Sequence, residues 1–168
     1  MSIVKAFLFS LLALLITNFL FVILIQAIFG YFDLVIALIS PDFSTLFYVL
    51  FCSLGHPIWD TVYLIAYHIT NYNTYFMLLD LVRLIVPLIA AIVASRFGKK
   101  RINSFIGVFL TTIVSMVISI ILMFNSVSYQ IIIAGTYLGY GALFTVVLGS
   151  LLNGLIFGLI AFFTTKRL

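Results

Sequence analysis

The chain has 168 residues, of which 65% are hydrophobic and 7% charged, with a formal net charge of +4. Soluble domains are roughly 25% charged, and a chain this apolar cannot coat a globule with polar groups, so a water-soluble fold is excluded and lipid is the solvent. The basic residues stand at the ends of apolar segments, where topology and anionic headgroups account for them, and no nucleic-acid partner is expected.

The first predicted span is "VKAFLFSLLALLITNFLFVILIQAIFG", residues 4–30. A secretory signal carries an apolar core of about 7–15 residues and a small-residue cleavage site. This run is longer and lacks that site, so it reads as a retained span, with Asn18 and Gln26 expected to face other helices.

Residues 31–73 form an irregular region on the outer side. Its apolar pieces "LVIALI", "FSTLFYVLFCSL" and "IWDTVYLIAYHI" are separated by "SPDFS" and "GHP". Ser40 before Pro41, and Gly55-His56 before Pro57, are helix-start signals. Each piece is short of the roughly 20 residues a vertical crossing needs. Half-helices dipping into the outer leaflet, helices lying along its surface, and two tilted crossings all remain open. The single cysteine, Cys52, excludes an internal disulfide and a Cys-rich metal site, and reads as a buried small side chain.

"TYFMLLDLVRLIVPLIAAIVASRF", residues 74–97, is the next span, followed by "GKKR" and a span over 103–124. The last stretch is too long for one straight crossing, so a short helix near 129–139, a break at "GYG" and a span over 142–164 are predicted. The expected fold is an all-α polytopic bundle in one transmembrane domain, residues 1–168: four spans with two to four shorter interfacial, re-entrant or additional spanning helices. Lys5, Arg96, Lys99, Lys100, Arg101, Lys166 and Arg167 fall on one side if both termini are cytoplasmic, as the positive-inside rule asks of a cell-membrane protein. Asp33, Asp42, Asp60 and Asp80 then lie toward the outer side.

Helices associate in lipid through small residues that let backbones approach. Ser150, Gly154 and Gly158 make one seam at four-residue spacing, and Gly107, Thr111, Ser115 and Ser119 another. The two seams are expected to face each other, building the monomer or docking a second subunit.

Arg83 is the one basic residue far from a span end. A charge in lipid costs about 2.5–3.5 kcal/mol on insertion scales and needs a partner or a wet cavity. Asp80, three residues away, can pair with it. Pro87 has no N–H to give the Arg83 carbonyl, so acid, base and an altered backbone converge within two turns. They mark either a structural ion pair or part of a substrate or ion pathway. His56 and Asp60, four apart in "GHPIWD", and His68 form a second candidate polar site on the outer side. That pair lacks a third ligand close in sequence, so no metal and no cofactor are expected. Trp59, Tyr63, Tyr67, Tyr72 and Tyr75 read as an interfacial aromatic belt.

No phosphate-binding loop, nucleophile elbow or H-E-x-x-H motif is present, and no catalytic residue is expected. The broken outer segments and the Asp80 locus point to a small membrane subunit of a transport or translocation complex, with a substrate-binding role among its options. The alternative is a noncatalytic accessory subunit of a larger membrane complex, and an intramembrane enzyme using His56, Asp60 or His68 comes third. Expected partners are the bilayer, other membrane subunits and, for the transport reading, a small-molecule ligand.

Overall fold

A computed structural model describes residues 2–31, 43–51, 54, 57–125 and 140–166. Among them are six α-helices and no strand: α1 (Ser2–Phe29), α2 (Phe43–Phe51), α3 (Ile58–Thr70), α4 (Thr74–Phe97), α5 (Arg101–Asn125) and α6 (Tyr140–Thr164). Four of them, α1, α4, α5 and α6, are long and apolar enough to cross a membrane. At 24 to 28 residues they run about 36–42 Å, against a hydrocarbon core of roughly 30 Å. Their ends lie within two residues of the predicted spans. The short helix predicted near 129–139 falls outside the described residues.

The bundle is more polar inside than outside, as a lipid solvent requires. Along α1, the exposed stripe is Val4, Leu8, Leu12, Ile16, Leu20, Leu24 and Ile28. The buried stripe holds Ala6, Ser10, Leu14, Asn18 and Gln26. Both recur every fourth residue, so each forms a ridge that winds slowly around the helix.

The most extensive packing joins α5 to α6, and the next joins α1 to α4. The two small-residue seams do not face one another. A Cβ at Gly154 would strike Thr112 Oγ1 and lie 3.0 Å from the Phe109 ring, and one at Gly158 would lie 2.9 Å from Phe105. α6 therefore receives the Phe105, Phe109 and Thr112 side of α5. Gly107, on another face of α5, takes α1 instead, where its Cβ would stand 2.7 Å from that of Ala6. A glycine accepts either an aromatic ring, as Gly158 does, or a close backbone, as Gly107 does with Ala6, and each seam uses this space on a different neighbour. On the same face of α5, Thr111 returns its hydroxyl to the Gly107 carbonyl at 3.0 Å, and Ser119 is fully buried.

One end of the bundle is closed by polar contacts. Asn103 on α5 donates to Ser2 Oγ at the start of α1 and to the Gly98 carbonyl at 3.1 Å, and Thr165 Oγ1 donates to Ser104 Oγ at 2.8 Å. The start of α1, the α4–α5 turn and the end of α6 thus share one end. With them come Lys5, Arg96, Lys99, Lys100 and Lys166, all exposed, and Arg101, stacked over the Phe162 ring at 5.6 Å. At the opposite end the ring of Tyr75 lies edge-on to Phe29 and Tyr31, tying the start of α4 to the end of α1.

Candidate functional site

Two short helices build the polar half of the bundle. With 9 and 13 residues, α2 and α3 extend only about 14 and 20 Å, too little to cross alone. They meet beside the mid-length of their neighbours, and side chains from three long helices take up the backbone groups at the break. Asn18 of α1 donates to the Leu50 carbonyl at 3.0 Å, and Ser115 of α5 donates to the Phe51 carbonyl. On α6, Asn153 donates to the Leu54 carbonyl at 3.0 Å and accepts the Ile58 N–H at 3.2 Å. Ser150 adds a weaker bond to Leu54 at 3.4 Å. Non-helical backbone at membrane depth is tolerated only when protein or a wet cavity satisfies it, and these side chains do so. Gly149 completes the joint, because a Cβ there would stand 2.8 Å from the Pro57 ring. Asn18 thus faces another helix, as its place in an apolar span predicts, and Asn153, an amide inside "SLLNGL", is a signal of the same kind.

The turn after α3 sets the ionisable site. The Asn73 N–H bonds the His68 carbonyl at 2.9 Å and the Tyr72 N–H bonds that of Ile69 at 3.2 Å, with Tyr72 at φ 53°. This crossed pair of bonds with a left-handed residue is a Schellman close. Asn73 then caps α4, its side chain accepting from the Phe76 N–H at 3.4 Å. The resulting tight hairpin aligns residues equally spaced on either side of Thr74, and His68 meets Asp80.

Asp80 is the centre of the cluster. Its side chain is 5% exposed; Oδ1 accepts from Arg83 Nη1 at 2.7 Å, and Oδ2 lies 3.5 Å from His68 Nε2. Asp80 Oδ2 and His68 Nδ1 are both buried and have no hydrogen-bond partner among the described residues. The imidazole stacks on Phe76 at 5.5 Å and meets Tyr67 edge-on at 5.3 Å, which fixes the ring plane. Nearby, Gln26 of α1 donates to the Tyr75 hydroxyl at 2.5 Å. Pro87 is buried on the same helix, one turn beyond Arg83.

The two polar sites singled out in the sequence are therefore redistributed. His68 joins Asp80 and Arg83 across the hairpin, a pairing that spacing within one helix could not reveal. Asp60 stays apart in the first turn of α3, about 12 Å along the axis from His68, where an acid suits the positive end of the helix. His56 lies outside the described residues. Among the described residues no three His, Cys, Asp or Glu side chains gather as metal ligands. Comparison with protein-family models, with curated proteins and with solved structures returns no match for this chain.

Proposed function

We propose that this multi-pass membrane protein is a subunit of a transport or translocation system, with the interrupted α2–α3 pair and the Asp80 cluster on its polar path. The observation that carries the reading is the broken helix pair held at mid-bundle by Asn18, Ser115, Ser150 and Asn153. Discontinuous helices place backbone dipoles where a solute or ion can use them, and a continuous helix hides them. Hydrogen bonds to side chains can be exchanged for bonds to a ligand, so such a joint can open at modest cost. The clustering of basic groups at one end of the bundle supports placing both termini in the cytoplasm, and reporters fused to each terminus check this. An outer C-terminus would overturn that orientation.

An accessory subunit would be expected to offer its small-residue faces to partners. Here Gly107, Gly154 and Gly158 are filled by Ala6, Phe105 and Phe109 of the same chain, which favours the transport reading. The test is purification of the full chain in mild detergent, with identification of co-purifying proteins and small molecules. A bound solute or energy-supplying partner whose retention depends on Asn153 and Asp80 is expected. Partners retained unchanged in Asp80→Asn and Asn153→Leu, with no solute, would overturn the reading and leave the accessory role.

A further inference from the structure

The basic end of the bundle is a charge without a counter-charge. Lys5, Arg96, Lys99, Lys100 and Lys166 are exposed there, and Arg101 is half-buried among them. The acids among the described residues lie elsewhere, Asp60 in the first turn of α3 and Asp80 near the other end of α4. Both ion pairs of the described residues belong to Asp80, so within those residues no carboxylate neutralises the basic end. Arg101 is also set against the field of its own helix. It opens α5, whose first turn has no acid, and the positive end of a helix disfavours a cation. Topology explains why cations gather at this end. It does not explain why one of them is held in place.

Arg101 is the last rung of the α5–α6 seam. Rungs four residues apart on each helix run from Phe109 over Gly154, through Phe105 against Gly158, to Arg101 over Phe162. Phe105 and Phe109 therefore lie about 6 and 12 Å deeper in the bilayer, at 1.5 Å per residue. The guanidinium carbon stands 5.6 Å from the centre of the Phe162 ring. Nε is buried and has no hydrogen-bond partner, so that edge of the group is pressed against protein and the terminal amino groups are the donors that face outward. Phe163 meets the Phe162 ring edge-on at 5.4 Å and is 70% exposed, and Ile102, next to Arg101, is 53% exposed. Lys166 follows within a turn, on the segment that Thr165 ties to Ser104 of α5. A fixed planar cation, a flexible second cation and a bare apolar flank thus share one short stretch of surface.

We propose that Arg101, Lys166 and Phe163 form a binding site for one anionic phospholipid, in the leaflet that meets the basic end. Two oxygens of the phosphodiester accept from the guanidinium fork, a geometry that a lysine cannot reproduce. Lys166 adds a second charge, and an acyl chain lies along Phe163 and Ile102. A zwitterionic headgroup brings its own cation to a surface already in excess of them, which selects against it. A free phosphate ion satisfies Arg101 but leaves the apolar flank unused, whereas a lipid uses both. Basic pockets between transmembrane helices take anionic headgroups by this combination. The site is remote from the α2–α3 break and from Asp80, so nothing in it depends on the transport reading.

The experiment is native mass spectrometry of the full chain, released from mild detergent holding dioleoylphosphatidylglycerol and dioleoylphosphatidylcholine in equal amounts. The expected result is one phosphatidylglycerol retained per chain in preference to phosphatidylcholine. Arg101→Gln should cut that retention by about tenfold, the loss of one charge-assisted contact, and Arg101→Lys should recover only part of it. Phe163→Ser, at an exposed position, should weaken retention with the charge intact. Lys5→Gln, which removes a charge from α1 outside the α5–α6 seam, should change it little. Equal retention of the two lipids by the wild-type chain overturns the proposal, a readout that needs no variant. A loss in Lys5→Gln as large as in Arg101→Gln also overturns it, leaving only diffuse attraction to a charged leaflet. So does unchanged retention in Phe163→Ser, or displacement of the lipid by inorganic phosphate at equal concentration, which would assign the cations to a soluble anion.

Discussion

The α5–α6 pair and the α2–α3 pair solve the problem of packing in lipid by opposite means. α5 and α6 are continuous, satisfy their own backbones, and meet by sinking Phe105, Phe109 and Thr112 over Gly154 and Gly158. α2 and α3 are short, expose backbone groups at their junction, and depend on side-chain amides and hydroxyls from three neighbours. The first joint is dry and shape-determined, so opening it forfeits many small dispersion contacts at once. The second is fixed by a few directional bonds, each of which a ligand or water could replace. Local opening is therefore expected to cost less at the interrupted pair and its α4 hairpin than at the long pair, which is scaffold.

The sharpest way to break this contrast is Gly154→Leu. The glycine already has Thr112 and Phe109 where a Cβ would stand, and overpacking a tight interior costs about 1–3 kcal/mol for far smaller insertions. The expected outcome is a chain that no longer purifies as a folded monodisperse species, checked by size-exclusion chromatography in detergent. Next comes Asn153→Leu, which removes an acceptor from Ile58 and a donor from Leu54 in one step. The Ile58 N–H left unmet costs about 1–3 kcal/mol and the Leu54 carbonyl keeps only the weaker Ser150 bond, which is read as reduced thermal stability with α5 and α6 still associated.

Arg83→Gln follows, expected to cost about 3 kcal/mol because it strands a buried carboxylate. The exchange Asp80→Arg/Arg83→Asp restores the charges on α4. However, it sets a guanidinium against His68, so rescue should be partial and should improve when His68→Gln is added. A triple variant no better than the double would remove His68 from the cluster. The smallest expected effect is Tyr72→Gly. A left-handed conformation costs a non-glycine residue about 1–2 kcal/mol, and Tyr72 at φ 53° is 94% exposed, so it has little packing to lose. Glycine there should raise the thermal midpoint slightly, and a drop would show that the tyrosine ring has a role at the interface.

Much of the scaffold was legible in the sequence because lipid imposes length. The run from Thr74 to Phe97 is bounded by Asn73 as a cap and by "GKKR", and the helix takes those limits. Arg83 and Asp80 could be paired on spacing alone, since three residues on a helix bring side chains together. What the sequence could not show was contact between helices. Spacing places Gly107 and Gly154 on seams but does not say that Gly107 meets Ala6 and Gly154 meets Phe109. Likewise His68 and Asp80 belong to separate helices, and only the Schellman close at Tyr72 determines that they meet. The role of Asn153 is hidden for the same reason: it lies in the backbone of a distant break, which local patterning does not encode.

The most direct test is hydrogen exchange of the full chain in nanodiscs, resolved along the sequence. Local openings are cheapest where few directional bonds hold an element, and dearest in a packed core. The backbone of α3, from Ile58 to Thr70, should exchange faster than that of α5 and α6 through their seam. Asn153→Leu should accelerate α3 further and leave α5 unchanged. Protection of α3 equal to that of α5, or acceleration of both helices together in Asn153→Leu, would contradict the division of this protein into a dry scaffold and a polar, openable half.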